Sequence, residues 1–126
     1  MSALGVIVDT SVWIHHMRFG PTALSQLLES SAALMHDDVL GELATGNLTT
    51  RSSTLFSLRN LPRCVRIPND NALDMIEKLS LHGKGLSWID IHLLASALAS
   101  RCTLWTLDRS LHAAAVHAGV AFRAER

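Results

Sequence analysis

The chain has 126 residues, 48% of them hydrophobic, and its 11 lysines and arginines balance 11 aspartates and glutamates. That length fits one domain, expected over residues 1–126, with a core that needs no disulfide or metal staple. The charge balance gives no sign of a strongly basic nucleic-acid binder, and Cys64 and Cys102 are too few and too isolated for a disulfide framework or a cysteine zinc site.

In chain order, Met1 to Gly5 lacks a basic leader region, and no apolar stretch approaches the roughly 20 residues needed to cross a bilayer. A soluble, unprocessed protein of a reducing cytoplasm, with no membrane contact, is expected. Leu4 to Val8 reads as a strand buried on both faces, ending in Asp9 before Thr10-Ser11 and a helix those polar residues would cap. Pro21 to Glu29 reads as a helix and Ala32 to His36 as a second strand. Asp37 and Asp38 supply a turn and N-cap for a helix carrying Glu42, which Gly46-Asn47 ends. Thr54 to Leu58 is helical, Cys64 to Ile67 a third strand before Pro68, and Ala72 to Leu81 a helix. Its neighbours Asp70, Asp74 and Glu77 are solvated. Ser87 to Ser100 is a helix apolar nearly all round and so largely buried. Cys102 to Leu107 is the last strand, ending in Asp108 before a helix from Ser110 to Val116. This alternation predicts an α/β fold, a three-layer α/β/α sandwich with a mostly parallel central sheet.

Four acids stand out: Asp9, Glu42, Asp90 and Asp108. Each has a plain structural role open to it. Asp9 and Asp108 fit N-cap positions, Asp90 completes a capping box with Ser87, and Glu42 fits a solvated first-turn residue. Acids at the carboxyl ends of neighbouring parallel strands also face one ligand crevice. Carboxylates gathered within about 5 Å would repel by about 3 kcal/mol per pair at an effective dielectric near 20, leaving the metal-free site strained or partly protonated. A dication relieves this. Oxygen-only ligands select Mg²⁺ or Mn²⁺ over zinc. Such an ion activates a water for in-line attack on a phosphodiester, leaving 5′-phosphate and 3′-hydroxyl ends.

Val8-Asp9-Thr10-Ser11-Val12-Trp13-Ile14, Val39-Leu40-Gly41-Glu42-Leu43, Gly85-Leu86-Ser87-Trp88-Ile89-Asp90 and Leu104-Trp105-Thr106-Leu107-Asp108-Arg109 occur in that order. Together, over nearly the whole chain, they resemble the PIN-domain ribonucleases, specifically the VapC-type toxins of bacterial toxin-antitoxin pairs. The resemblance puts the family's acidic quartet on Asp9, Glu42, Asp90 and Asp108, and its hydroxyl-bearing position on Thr106. It implies Mg²⁺ or Mn²⁺ dependence, endonucleolytic cleavage of RNA, a cognate antitoxin covering the active-site groove, and a homodimer within a toxin-antitoxin hetero-oligomer.

On that reading Asp9 and Asp90 are the principal metal ligands, Asp108 a ligand directly or through water, and Glu42 the orienter or base of the attacking water. Thr106 positions Asp108 or a water, or is an ordinary strand residue. Thr10 and Ser11 donate to Asp9 or phosphate, or cap a helix. Arg109, Lys84, Arg18, Arg51 and Arg59 are candidates for phosphate contacts, with His15 and Trp13 as further groove candidates. Trp13 and Trp88, large aromatics at apolar helix positions, read as core residues packed beside the site more than as stacking partners for bases. The seven histidines show no zinc-enzyme spacing and read as structural. Leu24, Leu27, Leu28, Leu43, Leu48, Leu55 and Phe56 either fill the core or leave an apolar partner surface.

Rival readings are an RNA-processing PIN nuclease that is not a toxin and a PIN fold kept as a non-catalytic interaction module. A phospho-receiver lacks its earlier acidic pair and late lysine. A phosphotransferase acting through Asp9 lacks an acid two residues on, where Ser11 stands.

Overall fold

A computed structural model describes residues 5–124, so the expected strand start at Leu4 and the reading of Met1 to Leu4 lie outside the described residues. The β-branched run builds β1 (Val6–Val8), flanked by β2 (Ala33–Leu34) and β3 (Thr103–Trp105) in a parallel sheet of order β2-β1-β3. The register pairs Val6 with Ala33 on one side and with Thr103 on the other. Seven helices fill the connections: α1 (Thr10–Phe19), α2 (Ala23–Glu29), α3 (Asp37–Thr45), α4 (Arg51–Arg59), α5 (Asn69–Leu79), α6 (Trp88–Ser100) and α7 (Arg109–Ala118).

Successive strand residues point to opposite faces, and Val6, Ile7 and Val8 are all buried, so helices cover both faces of the sheet. The fold is the expected α/β/α sandwich. Its core is a cluster in which Ile7, Leu24, Met35, Leu93, Leu94, Leu104 and Leu111 are fully enclosed. From β1 the chain moves to β2 on one side and later to β3 on the other. The carboxyl end of β1 is therefore the topological switch point, where an open parallel sheet presents a crevice.

Three expectations need correction. Cys64 to Ile67 is not a strand: beside β2 there is one isolated parallel bridge, Met35 with Arg63. β2 cannot continue past Met35 because His36 already caps α3, and the Val65 carbonyl accepts instead from Ser96 Oγ at 2.7 Å. The α3 cap is not Asp37 or Asp38. His36 Nδ1 accepts the Asp38 N–H at 3.0 Å, while the two aspartates occupy the first helical turn. Glu42, sixth in that helix, is outside the first turn. Of the apolar residues between Pro21 and Phe56, Leu24 and Leu43 are core, Leu27, Leu28 and Leu48 pack against it, and Phe56 alone is widely exposed, at 71%. Among the described residues no helix is long and apolar enough to cross a membrane.

Candidate metal centre

β1 delivers Asp9 to the switch point, where its backbone N–H donates to the Trp105 carbonyl at 2.9 Å and so locks the ends of β1 and β3 together. The side chain is only 7% exposed and caps α1. Its Oδ1 accepts from Thr10 N–H at 2.8 Å; its Oδ2 accepts from Ser11 Oγ at 2.8 Å and Thr106 Oγ1 at 2.7 Å. Both hydroxyl protons are thereby committed to Asp9, so the 3.4 Å approach of Ser11 Oγ to Thr106 Oγ1 is a contact without a proton to share. Each hydroxyl also accepts a backbone N–H at 3.0 Å, Ser11 from Leu107 and Thr106 from Asp108. One hydrogen-bonded chain thus fixes Asp9 relative to Asp108.

Asp108 is exposed and caps α7, its Oδ2 accepting the Leu111 N–H at 2.9 Å. Glu42 is exposed on α3, and its Oε1 accepts Thr10 Oγ1 at 2.6 Å, which ties the third acid to the residue after the first. Asp90 forms the expected capping box: Ser87 N–H donates to its Oδ2 at 3.0 Å, and its own N–H donates to Ser87 Oγ at 3.1 Å. The loop before α6 turns at Gly85, whose φ is +77°, and an added Cβ would stand 3.2 Å from Ser110 Oγ. Only glycine lets that loop lie against the start of α7.

Burial raises the Asp90 pKa, and the charges of Asp9 and Asp108 raise it further, against the lowering by its Ser87 hydrogen bonds. The three aspartates therefore share one field. Among the described residues, Glu42 Oε2, Asp90 Oδ1 and Asp108 Oδ1 accept no hydrogen bond from the protein. Open carboxylate oxygens and mutual repulsion are the donor set a hard dication fits. No three His, Cys, Asp or Glu side chains among the described residues are preassembled around one ion. An ion here would take few direct protein ligands and keep waters, as Mg²⁺ does.

The basic candidates separate. Lys84 and Arg109 line one recess of about 400 Å³ with Ser110 and His117. Arg18 lines another with Glu42. Arg51 is used within the fold, donating to the Ala44 and Gly46 carbonyls at the carboxyl end of α3. Arg59 lines a third recess, with Phe56 and Arg63. His15 packs on Phe19 with ring centroids 4.8 Å apart. Trp13, 3% exposed, is core and no groove residue, whereas Trp88 is 40% exposed and is no core residue.

A network beside Glu42 has no counterpart in the sequence reading. Arg66 Nε donates to both oxygens of Asp38 at 3.1 and 3.2 Å, and its Nη2 lies 3.3 Å from His92 Nε2, which is also 3.0 Å from Asn69 Oδ1. Asp37 pairs with Arg63 at 2.8 Å. These partners are 23 to 28 residues apart, beyond any local pattern. His36 and His92 are fully buried, and burial lowers both pKa values, Arg66 lowering that of His92 further.

Burial therefore favours the neutral form of both rings in the folded state. As pH falls past the unfolded histidine value near 6.5, the unfolded chain takes up protons first, and the stability present above that pH is lost. Wild type should melt several degrees above His92→Asn near pH 7.5, with the gap narrowing toward about pH 5.5. Thermal melts across that range check this; a constant gap would contradict it.

A family model described as PIN domain matches residues 6–116. Ribonuclease VapC32 from Mycobacterium tuberculosis, strains CDC 1551 / Oshkosh and ATCC 25618 / H37Rv, is 39% identical over 121 residues, 95% of this chain and 98% of that protein. The crystal structure of PAE2754 from Pyrobaculum aerophilum superposes with a TM-score of 0.60 at 17% identity, over 87% of this chain and 78% of that one, a likeness of fold alone.

Proposed function

Because the chain belongs to the PIN-domain family, we propose that it is a metal-dependent endoribonuclease of the cytoplasm, acting as the toxin of a toxin-antitoxin pair. The observation that carries this reading is the hydrogen-bonded chain joining Asp9 to Asp108 through Thr106, with Asp90 close enough to feel both charges. A purely structural set of helix caps has no use for that proximity, which raises the energy of all three.

Asp9, Asp90 and Asp108 would hold Mg²⁺ or Mn²⁺, which when bound lowers the pKa of a water and offsets charge on the phosphoryl oxygens. Glu42 orients the attacking water and takes its proton: Thr10 holds one Glu42 oxygen, leaving the other to face the water. The water oxygen bonds to phosphorus, the P–O3′ bond breaks, and the 3′-oxygen leaves as a hydroxyl after taking a proton from solvent. Lys84 and Arg109 share a recess lined by no acid, which suits a neighbouring backbone phosphate, and Arg18 beside Glu42 suits another.

The partner reading, a cognate antitoxin and a homodimer within the hetero-oligomer, rests on the family and on the VapC relatives. Purified protein, stripped of any antitoxin, should cut a mixed cellular RNA pool into discrete products with Mg²⁺ or Mn²⁺ and leave it intact in EDTA. Inertness of the metal-replete protein would favour the interaction-module reading. Co-expression with a cognate antitoxin should give a stable complex that no longer cuts.

A further inference from the structure

Trp88 opens α6 two residues before Asp90, and its indole stays 40% exposed although the helix behind it is buried from Ile91 to Ala97. It is not loose: its ring meets that of His92 edge to face, with centroids 4.6 Å apart, and His92 is itself held between Asn69 and Arg66. The indole forms one wall of a recess of about 420 Å³, within the usual range for small-ligand sites, lined also by Asp37, Asp38, Gly41, Glu42, Thr45 and Arg66. Glu42 belongs to the proposed catalytic quartet, so this recess adjoins the proposed site through that residue.

Its charges identify the kind of occupant. Asp37 is paired with Arg63 and Asp38 with Arg66, so the recess has no surplus cation for a phosphate. A supported aromatic face among paired carboxylates suits a flat, uncharged ring whose edge donates hydrogen bonds. In single-stranded RNA such a ring is a nucleobase bearing an amino group, stacked on the indole with its donors toward carboxylate oxygens. Gly41 keeps the space open. It sits inside α3 at a cost of about 1 kcal/mol relative to alanine, and a Cβ there would meet nothing within 4 Å.

We infer that the Trp88 recess binds an unpaired nucleobase flanking the cleaved phosphate and so determines part of the enzyme's sequence preference. This rests on the ribonuclease reading, and the test separates the two. Trp13 is buried and Trp105 packs on Phe122 with centroids 5.1 Å apart, leaving Trp88 as the exposed fluorophore among the three tryptophans. Titration of wild type in EDTA with a random-sequence single-stranded RNA hexamer pool should quench tryptophan fluorescence, and Trp88→Phe should lose most of that quench while still binding.

With Mg²⁺ and a randomised RNA substrate, Trp88→Ala should raise KM on the order of 10- to 100-fold with kcat changed less than about threefold, and sequenced products should lose a preference at one flanking position. Trp88→Phe should recover most of the affinity. Gly41→Leu, a better helix former, should fold at least as well as wild type yet raise KM by filling the recess.

Three results would overturn the inference: no Trp88-dependent quench with KM unchanged in both variants, a loss confined to kcat, or weakened affinity for a protein partner with RNA affinity intact. A wild type that binds with the Trp88 quench but never cleaves would remove the nuclease reading and keep the subsite. A wild type that cleaves without any Trp88 dependence would do the reverse.

Discussion

Asp9→Asn should cut RNA cleavage by at least about a thousandfold, equivalent to about 4 kcal/mol of barrier, while leaving the fold in place. Asparagine keeps one acceptor oxygen for the Thr10 N–H. Its amide group then faces Ser11 Oγ and Thr106 Oγ1, hydroxyls that can rotate to accept instead of donate. The melting temperature should therefore change by only a few degrees. What disappears is the formal charge at the acid locked between β1 and β3. Mg²⁺ offers a readout independent of turnover: at about 100 times its dissociation constant it should stabilise wild type by about 2.7 kcal/mol and the variant by far less. Calorimetry and the RNA-pool assay, run on matched circular-dichroism controls, check both parts. Full cleavage by Asp9→Asn would remove Asp9 from the site.

Thr106→Val carries the largest expected stability effect among the site residues. The substitution keeps shape and β-branching but removes a buried hydroxyl that donates to Asp9 Oδ2 and accepts from the Asp108 N–H. Losing a hydrogen bond to a carboxylate and stranding a backbone donor should cost about 2–4 kcal/mol together and lower the melting temperature by about 10 °C. Activity should fall about 10- to 100-fold, because both aspartates lose the link that sets their spacing and misplacement of about 1 Å has that effect. Thr106→Ser, which restores the hydroxyl, should recover most of each loss. Wild-type melting and activity in Thr106→Val would make Thr106 an ordinary strand residue.

Three of the four acids could be read from local wording because Asp9, Asp90 and Asp108 sit at element boundaries that the sequence itself marks, whereas Glu42 lies inside α3 and is picked out by the family resemblance. Apolar runs end at Asp9 and, two strands later, near Asp108, while Ser87-x-x-Asp90 is a capping-box spacing. The structural reading of these acids holds: Asp9 and Asp108 are N-caps and Asp90 completes a capping box, each with the geometry described above. Capping leaves one oxygen of Asp90 and one of Asp108 without a hydrogen bond, whereas both oxygens of Asp9 are engaged, so the caps leave room for the proposed metal role chiefly at Asp90 and Asp108. For Ser11 and Thr106, in contrast, plain roles fit the sequence equally well, since a hydroxyl 95 positions from its neighbour gives no local sign of the contact.

The expected third strand failed for a reason of the same kind. Cys64 to Ile67 has strand-like composition, but whether it pairs depends on how much of β2 remains beside it, and His36 ends that strand by capping α3. Trp88 was assigned to the core from the apolar character of its helix. Burial follows what packs against a residue, and at the first position of α6 the indole lies open beside Glu42.

By itself, the sequence determined the α/β alternation, the two strand ends that present acids, the oxygen-only donor set and the family, because these follow from periodicity, boundary residues and side-chain chemistry within a few positions of one another. The tertiary structure alone decided that Thr106 holds Asp9, that Arg66 is tied to Asp38 and His92, and that Trp88 faces a recess. Those depend on contacts across 26 to 97 residues, whose geometry arises only when the sheet orders its strands and the helices close over it.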